Sequence, residues 1–217
     1  RELPQGYCID TPFLDSISVA QKKANKTSNI VNMLVDISLV CSESEKLQRE
    51  IDISNPLPRI ADKYKKISDK KGISLTIGCT QPYSYKINEH YLTRILSNLL
   101  ESILQRSENI DIKLGLSVLN TDDGNIITFS ILDNGKPIPK RDLNILQAND
   151  LSKLDQNNQK IDLKLLYPRL FAQYLGGEIE ARTRPDQWNE LMLSFLDTQT
   201  QRDLAEEDSE ESDVELF

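Results

Sequence analysis

Residues 87–107, INEHYLTRILSNLLESILQRS, place Leu92, Ile95, Leu96, Leu99, Leu100, Ile103 and Leu104 three and four positions apart. That spacing predicts the strongest helix of the chain, with a broad apolar face for burial. The segments around it set what that face meets. ISLTI (73–77) alternates as a strand, and strands are predicted at 110–120 and 125–133. The latter two are joined by TDDG, whose Asp-Gly favours a hairpin. A further hairpin is expected from EIEART (178–183) and ELMLSFL (190–196).

The remaining segments complete the order. LQREIDI (47–53) reads as a short strand ended by NPLP, and residues 56–70 as a helix with prolines in its first turn, where a missing N–H does no harm. Gly72 stops that helix. Residues 140–160 read as polar and irregular, and 163–177 as a helix closed by glycine. Helices gather in one part of this pattern and antiparallel hairpins in the other. The expected fold is an α/β (α+β) two-layer sandwich, a mixed sheet with helices on one face. A helical arm precedes it. Across 17–42, Ile30, Met33, Leu34, Ile37 and Val40/Cys41 make a narrow stripe, suited to a helical hairpin, a dimer seam or the domain's own core. The expected division is a partial helical arm over 1–46, the sandwich over 47–198 and an acidic, disordered tail over 199–217.

Charge narrows the partners. The chain carries a net charge of −8, and residues 203–217 alone hold eight acids and no base, so the body is neutral. No basic patch with interleaved aromatics is visible, and no nucleic acid is expected. No apolar run approaches the length of about eighteen residues that a membrane span needs, so no membrane contact is expected within the segment. The start, RELPQGYCID, has no initiator Met, which suggests an excised piece of a longer, membrane-anchored protein with this part in the cytoplasm. Cys8, Cys41 and Cys79 fit no metal pattern and suit a reducing compartment, and His90 has no second histidine to share a metal or a triad. No metal ligands and no catalytic residues are assigned. Trp188 and Tyr174 read as packing aromatics.

Three blocks stand in order: NLLESI (98–103) on the strong helix, DNGKPI (133–138) after a strand, and DLKLLYPRLFAQYLGGEIE (162–180). With KYKKISDKKGISLTI before them, they resemble the ATP-binding domain of sensor histidine kinases, in the superfamily that also holds DNA gyrase and MutL. The resemblance covers roughly residues 25–197. It implies a nucleotide site, and its residual positions here are Asn98, Asp133 and Gly135, with Asp133 matching the carboxylate that accepts the adenine amino group.

The departures fall on the ligand side. The asparagine that carries Mg²⁺ in active members is Ser102, followed by Ile103, and the block's basic position is Gln105. A serine hydroxyl is a poor replacement for an amide oxygen in an octahedral shell. In the second block Ile138 matches, but the second glycine is Pro137, which fixes φ and removes an N–H. In the third block, Leu163 and Leu165 persist while Asp162 and Lys164 stand where two glycines would bare amides to phosphate. No histidine lies within residues 1–16 to accept a phosphoryl group, and His90, on the domain's own helix, reads as an exposed structural residue.

The resemblance therefore implies an inactive, kinase-like docking or scaffold module, of the histidine-less kind found in RcsD-type phosphorelay intermediates. It would bind no cofactor. Its partners would be a sensor histidine kinase, a response regulator, or both, and its arm would form a homodimer or heterodimer. The alternative is a divergent active kinase that uses ATP and Mg²⁺ to phosphorylate a histidine in another segment or chain. A third reading keeps adenine binding without catalysis, and a fourth is an unrelated α/β binding module.

Overall fold

The computed structural model describes most residues of 19–38, and residues 48–79, 82–147, 163–184 and 186–198. The chain divides into two compact units, Arg1–Glu45 and Lys46–Phe217. In the first unit, the described residues of 19–38 are helical (α1). Of the expected stripe, Met33 is buried and Ile30 half-buried, but Leu34 is 52% exposed, as are Val31 and Val35 to a similar degree. The stripe is therefore narrower than its sequence spacing indicated. Ile37, Val40 and Cys41 lie outside the described residues.

The second unit runs β1 (Arg49–Asp52), α2 (Pro56–Lys70), β2 (Ser74–Cys79), β3 (Ser84–Ile87), α3 (Glu89–Arg106), β4 (Asp111–Thr121), β5 (Gly124–Asp133), α4 (Lys140–Leu146), α5 (Leu163–Tyr174), β6 (Gly177–Thr183) and β7 (Asn189–Asp197). Five strands form a mixed sheet in the order β2-β4-β5-β7-β6. β2 lies parallel to β4, and every other pairing in that sheet is antiparallel. Parallel neighbours need a crossover, and α3 provides it. Along β5 and β7 the odd-numbered residues are buried and most even-numbered ones are not. One face of the sheet is thus covered by helices, and the layered sandwich expected from the sequence is what forms.

Local chemistry explains the element boundaries. Asn88 caps α3, its side-chain oxygen accepting from the Tyr91 N–H at 3.3 Å. All seven apolar residues of the α3 face are buried. α2 begins with Pro56 and buries Leu57, Ile60, Tyr64 and Ser68 along one stripe. It ends where Gly72 adopts φ +64°, and a Cβ there would run into the Asn109 side chain. The hairpin expected at TDDG turns through Asp122 and Asp123, with Gly124 at φ +137°.

Three expectations need correction. β1 does not join the main sheet; it pairs antiparallel with β3 in a separate two-stranded sheet. β3 itself was not expected, because SYKI is short and carries few apolar residues. Residues 140–146, read as irregular, form α4, which buries Ile145 and Leu146. Residues 148–162 lie outside the described residues, as does the tail from 199 onward.

Candidate functional site

The end of β5 brings the DNG loop beneath the C-terminus of α3. Asp133 is fully buried, and its carboxylate is engaged on both oxygens. Oδ2 accepts from the Arg106 guanidinium at 2.6 Å. Oδ1 accepts from Asn189 Nδ2 at 2.9 Å and from the Gly135 N–H at 3.0 Å. A carboxylate has roughly four acceptor positions, and three of these are filled by the chain itself. Asn189 faces Asp133 directly across the β5–β7 ladder, so its placement is a matter of register. Its amide also donates to the Lys136 carbonyl at 2.9 Å, which pins the loop over the carboxylate.

Gly135 is required by close approach. A Cβ on it would stand 2.5 Å from Ser107 Oγ and 2.9 Å from Asp133 Oδ1. On the other side of the loop, Asn134 exchanges hydrogen bonds with Asp111: its Oδ1 accepts from the Asp111 N–H at 2.8 Å. Ile138 is buried and Pro137 exposed.

Along α3, Asn98, Ser102 and Arg106 recur every four residues and so lie on one side of the helix. Asn98 is buried, and its Nδ2 has no hydrogen-bond partner among the described residues. The buried Nε of Arg106 and Oγ of Ser107 are in the same condition. Ser102 is not free, because its hydroxyl donates back to the Leu99 carbonyl at 2.7 Å. Gln105 is exposed.

Glu101 forms the second polar node. One carboxylate oxygen accepts from Tyr64 OH at 2.5 Å and the other pairs with Lys164 Nζ at 3.0 Å. Burial first, and then the Glu101 carboxylate, push the Tyr64 phenol well above its ordinary value. Lys164, in the first turn of α5, is therefore tied to α3 at a position that the resemblance matches to a glycine. Asp162 and the side chain of Leu163 lie outside the described residues, while Leu165 is buried.

These contacts bear on whether Mg²⁺ and a nucleotide fit. The Ser102 hydroxyl, which the resemblance matches to a metal-binding amide, is turned into its own helix, and the Asp133 carboxylate, matched to the adenine contact, is paired with a guanidinium. Against them stands the buried Nδ2 of Asn98, a donor with no partner among the described residues. His90 is exposed at the first turn of α3, edge-on to Tyr91 at 5.6 Å. Tyr174 meets Tyr91 and Phe171 edge-on, and Lys113 Nζ stands over the Trp188 ring at 4.7 Å.

The sequence reading brought Asn98, Asp133 and Gly135 forward and missed Arg106, Asn189, Glu101 and Tyr64. Arg106 had one available signal: a cation at the end of a helix whose apolar face carries it toward the buried strand ends. Asn189 had none, because its role depends on the β5–β7 register.

No family model matches the sequence. The sensor protein EvgS of Escherichia coli O157:H7 is 24% identical over 133 residues, which is 59% of this chain and 11% of EvgS. The figures for the K12 strain are the same, so the chain spans 11% of the length of the curated relatives it matches. Among solved structures, the histidine kinase AdeS of Acinetobacter baumannii superposes with a TM-score of 0.66 at 15% identity, over 88% of this chain and 86% of that one. Full-length ShkA in complex with AMPPNP gives a TM-score of 0.67 at 17% identity, over 86% of this chain and 39% of that one. The fold is that of the histidine kinase ATP-binding domain.

Proposed function

We propose that this chain is a catalytically inactive, histidine-kinase-like module that docks or scaffolds partners within a two-component phosphorelay protein. What carries the reading is the Arg106–Asp133 pair: the carboxylate matched to adenine is buried against the chain's own guanidinium at 2.6 Å. A base would have to displace that cation from a site shielded from water, where an ion pair is hard to break. The Ser102 hydroxyl, turned to Leu99, and Lys164, paired with Glu101, support it further. Its partners would be a sensor histidine kinase, a response regulator, or both. The resemblance to sensor kinases would place the module in the cytoplasm. No helix among the described residues is long and apolar enough to cross a membrane.

A second reading has one observation in its favour. The unpaired, buried Nδ2 of Asn98 leaves a donor facing no described partner, as a site awaiting a ligand would. On that reading the chain is a divergent kinase that uses ATP and Mg²⁺ to phosphorylate a histidine elsewhere, or a domain that holds adenine nucleotide without catalysis. Calorimetric titration of the folded chain with ATP and ADP, with and without Mg²⁺, separates them. The inactive module shows no binding up to millimolar nucleotide. Tight, Mg²⁺-dependent ATP binding, or transfer of label from ATP to the parent protein, overturns it.

A further inference from the structure

We infer that β6 is a pairing edge for a second copy of this chain, joined antiparallel about a two-fold axis at Ala181. Among the described residues β6 is an outer strand of the five-stranded sheet, with β7 as its one strand neighbour. Backbone parity decides which of its groups are free. The Arg184 N–H donates to the Trp188 carbonyl at 2.7 Å, so the even-numbered residues exchange hydrogen bonds with β7. The N–H and C=O groups of Ile179, Ala181 and Thr183 therefore point away from β7. Independently, Gln147 Nε2 reaches the Ala181 carbonyl at 2.7 Å from outside the sheet. A groove of about 790 Å³ runs along that edge, lined by residues 176–182, Gln147, Arg169 and Gln173.

The exposed side chains of the edge then select the occupant. Glu178, Glu180, Arg182 and Arg184 all lie on the uncovered face and are all exposed. Two acids followed by two bases at every second residue match themselves when reversed. With Ala181 opposite its own copy, Glu180 faces Arg182 and Glu178 faces Arg184, each twice. All four are directly opposed, non-hydrogen-bonded pairs, the closer of the two antiparallel arrangements. Ile179 then exchanges backbone bonds with Thr183, and Ala181 with itself. Shifting the axis to Glu180 sets glutamate against glutamate, and shifting it to Arg182 sets arginine against arginine. A two-fold contact must be self-complementary, and this register avoids any like-charge opposition. Arg182 now pairs with the buried Glu190 at 2.8 Å and Arg184 approaches Asp186 at 3.7 Å, and both guanidinium groups are exposed enough to be shared. The Ala181 carbonyl has a second lone pair, so Gln147 need not leave.

The pairing is independent of the nucleotide question and is tested on the full chain, at β6 itself. Amide-proton exchange of Ile179, Ala181 and Thr183 is expected to slow as concentration rises toward millimolar and to quicken with added salt. Glu178→Lys alone and Arg184→Glu alone each create two like-charge oppositions. Each is expected to raise the apparent dissociation constant by about tenfold or more. An equimolar mixture of the two variants restores all four opposite pairs and should return the protection. Both positions are exposed, and unchanged melting temperatures confirm that folding is intact. Protection that ignores concentration, persists in either single variant, or fails to return on mixing overturns the inference.

Discussion

A carboxylate cut off from solvent is expensive unless a counter-charge and hydrogen bonds meet it, and Asp133 receives one cation and two N–H donors. Removing Arg106 leaves that charge with dipoles alone. Arg106→Ala is expected to lose about 3 kcal/mol in urea unfolding, and to lose much less in an Asp133→Asn background. Equal losses in the two backgrounds would mean that the pair is not coupled. At this scale the sequence exposed one half of the site. An aspartate and a glycine at a strand end are visible to any reader of DNGKPI, and so are Asn98 and Ser102 at a four-residue step. Their partners are not. Arg106 and Asn189 reach Asp133 from 27 and 56 positions away along the chain. No local pattern encodes which way their side chains turn.

Elements were legible where periodicity was strong. The seven apolar residues of α3 and the alternating runs of β4, β5 and β7 state their own faces. β3 and α4 are four and seven residues long and present few apolar side chains, so their existence depends on what they pack against. Boundaries set by special backbone should respond to substitution. Gly72 sits at φ +64° with the Asn109 side chain across the space a Cβ would take. Gly72→Ala is therefore expected to lose about 1–2 kcal/mol of stability, measured by thermal or urea unfolding. Between elements, the Tyr64–Glu101 bond ties α2 to α3. Burial and Glu101 raise the Tyr64 value in the folded chain, so its contribution is complete below the unfolded value of about 10. Above that pH the unfolded chain loses the proton while the folded one keeps it. Stability should then fall by up to about 1.4 kcal/mol per pH unit. Tyr64→Phe removes that share of the alkaline slope, and an unchanged slope would show that Tyr64 does not set it.

For the whole molecule the question is whether this histidine kinase-like fold binds nucleotide. The sheet, its covering helices and the α3 face are those of the fold, while the sequence resemblance matches Ser102, Pro137 and Lys164 to positions of metal or nucleotide contact. Ligand that binds only the folded state raises stability by RT ln(1 + [L]/Kd). With the Arg106–Asp133 pair closed and a dissociation constant above millimolar, 1 mM Mg²⁺-ATP adds less than about 0.4 kcal/mol. The melting temperature should therefore move by no more than about 2 °C, the shift this energy gives a chain of such size. A nucleotide-binding domain with micromolar affinity would gain about 4 kcal/mol under the same conditions, roughly a tenfold larger stabilisation. Thermal unfolding with ATP, ADP and Mg²⁺ alone distinguishes the two outcomes. A large rise with Mg²⁺-ATP would mean that Arg106 swings aside and that the latch on Asp133 is a gate for nucleotide.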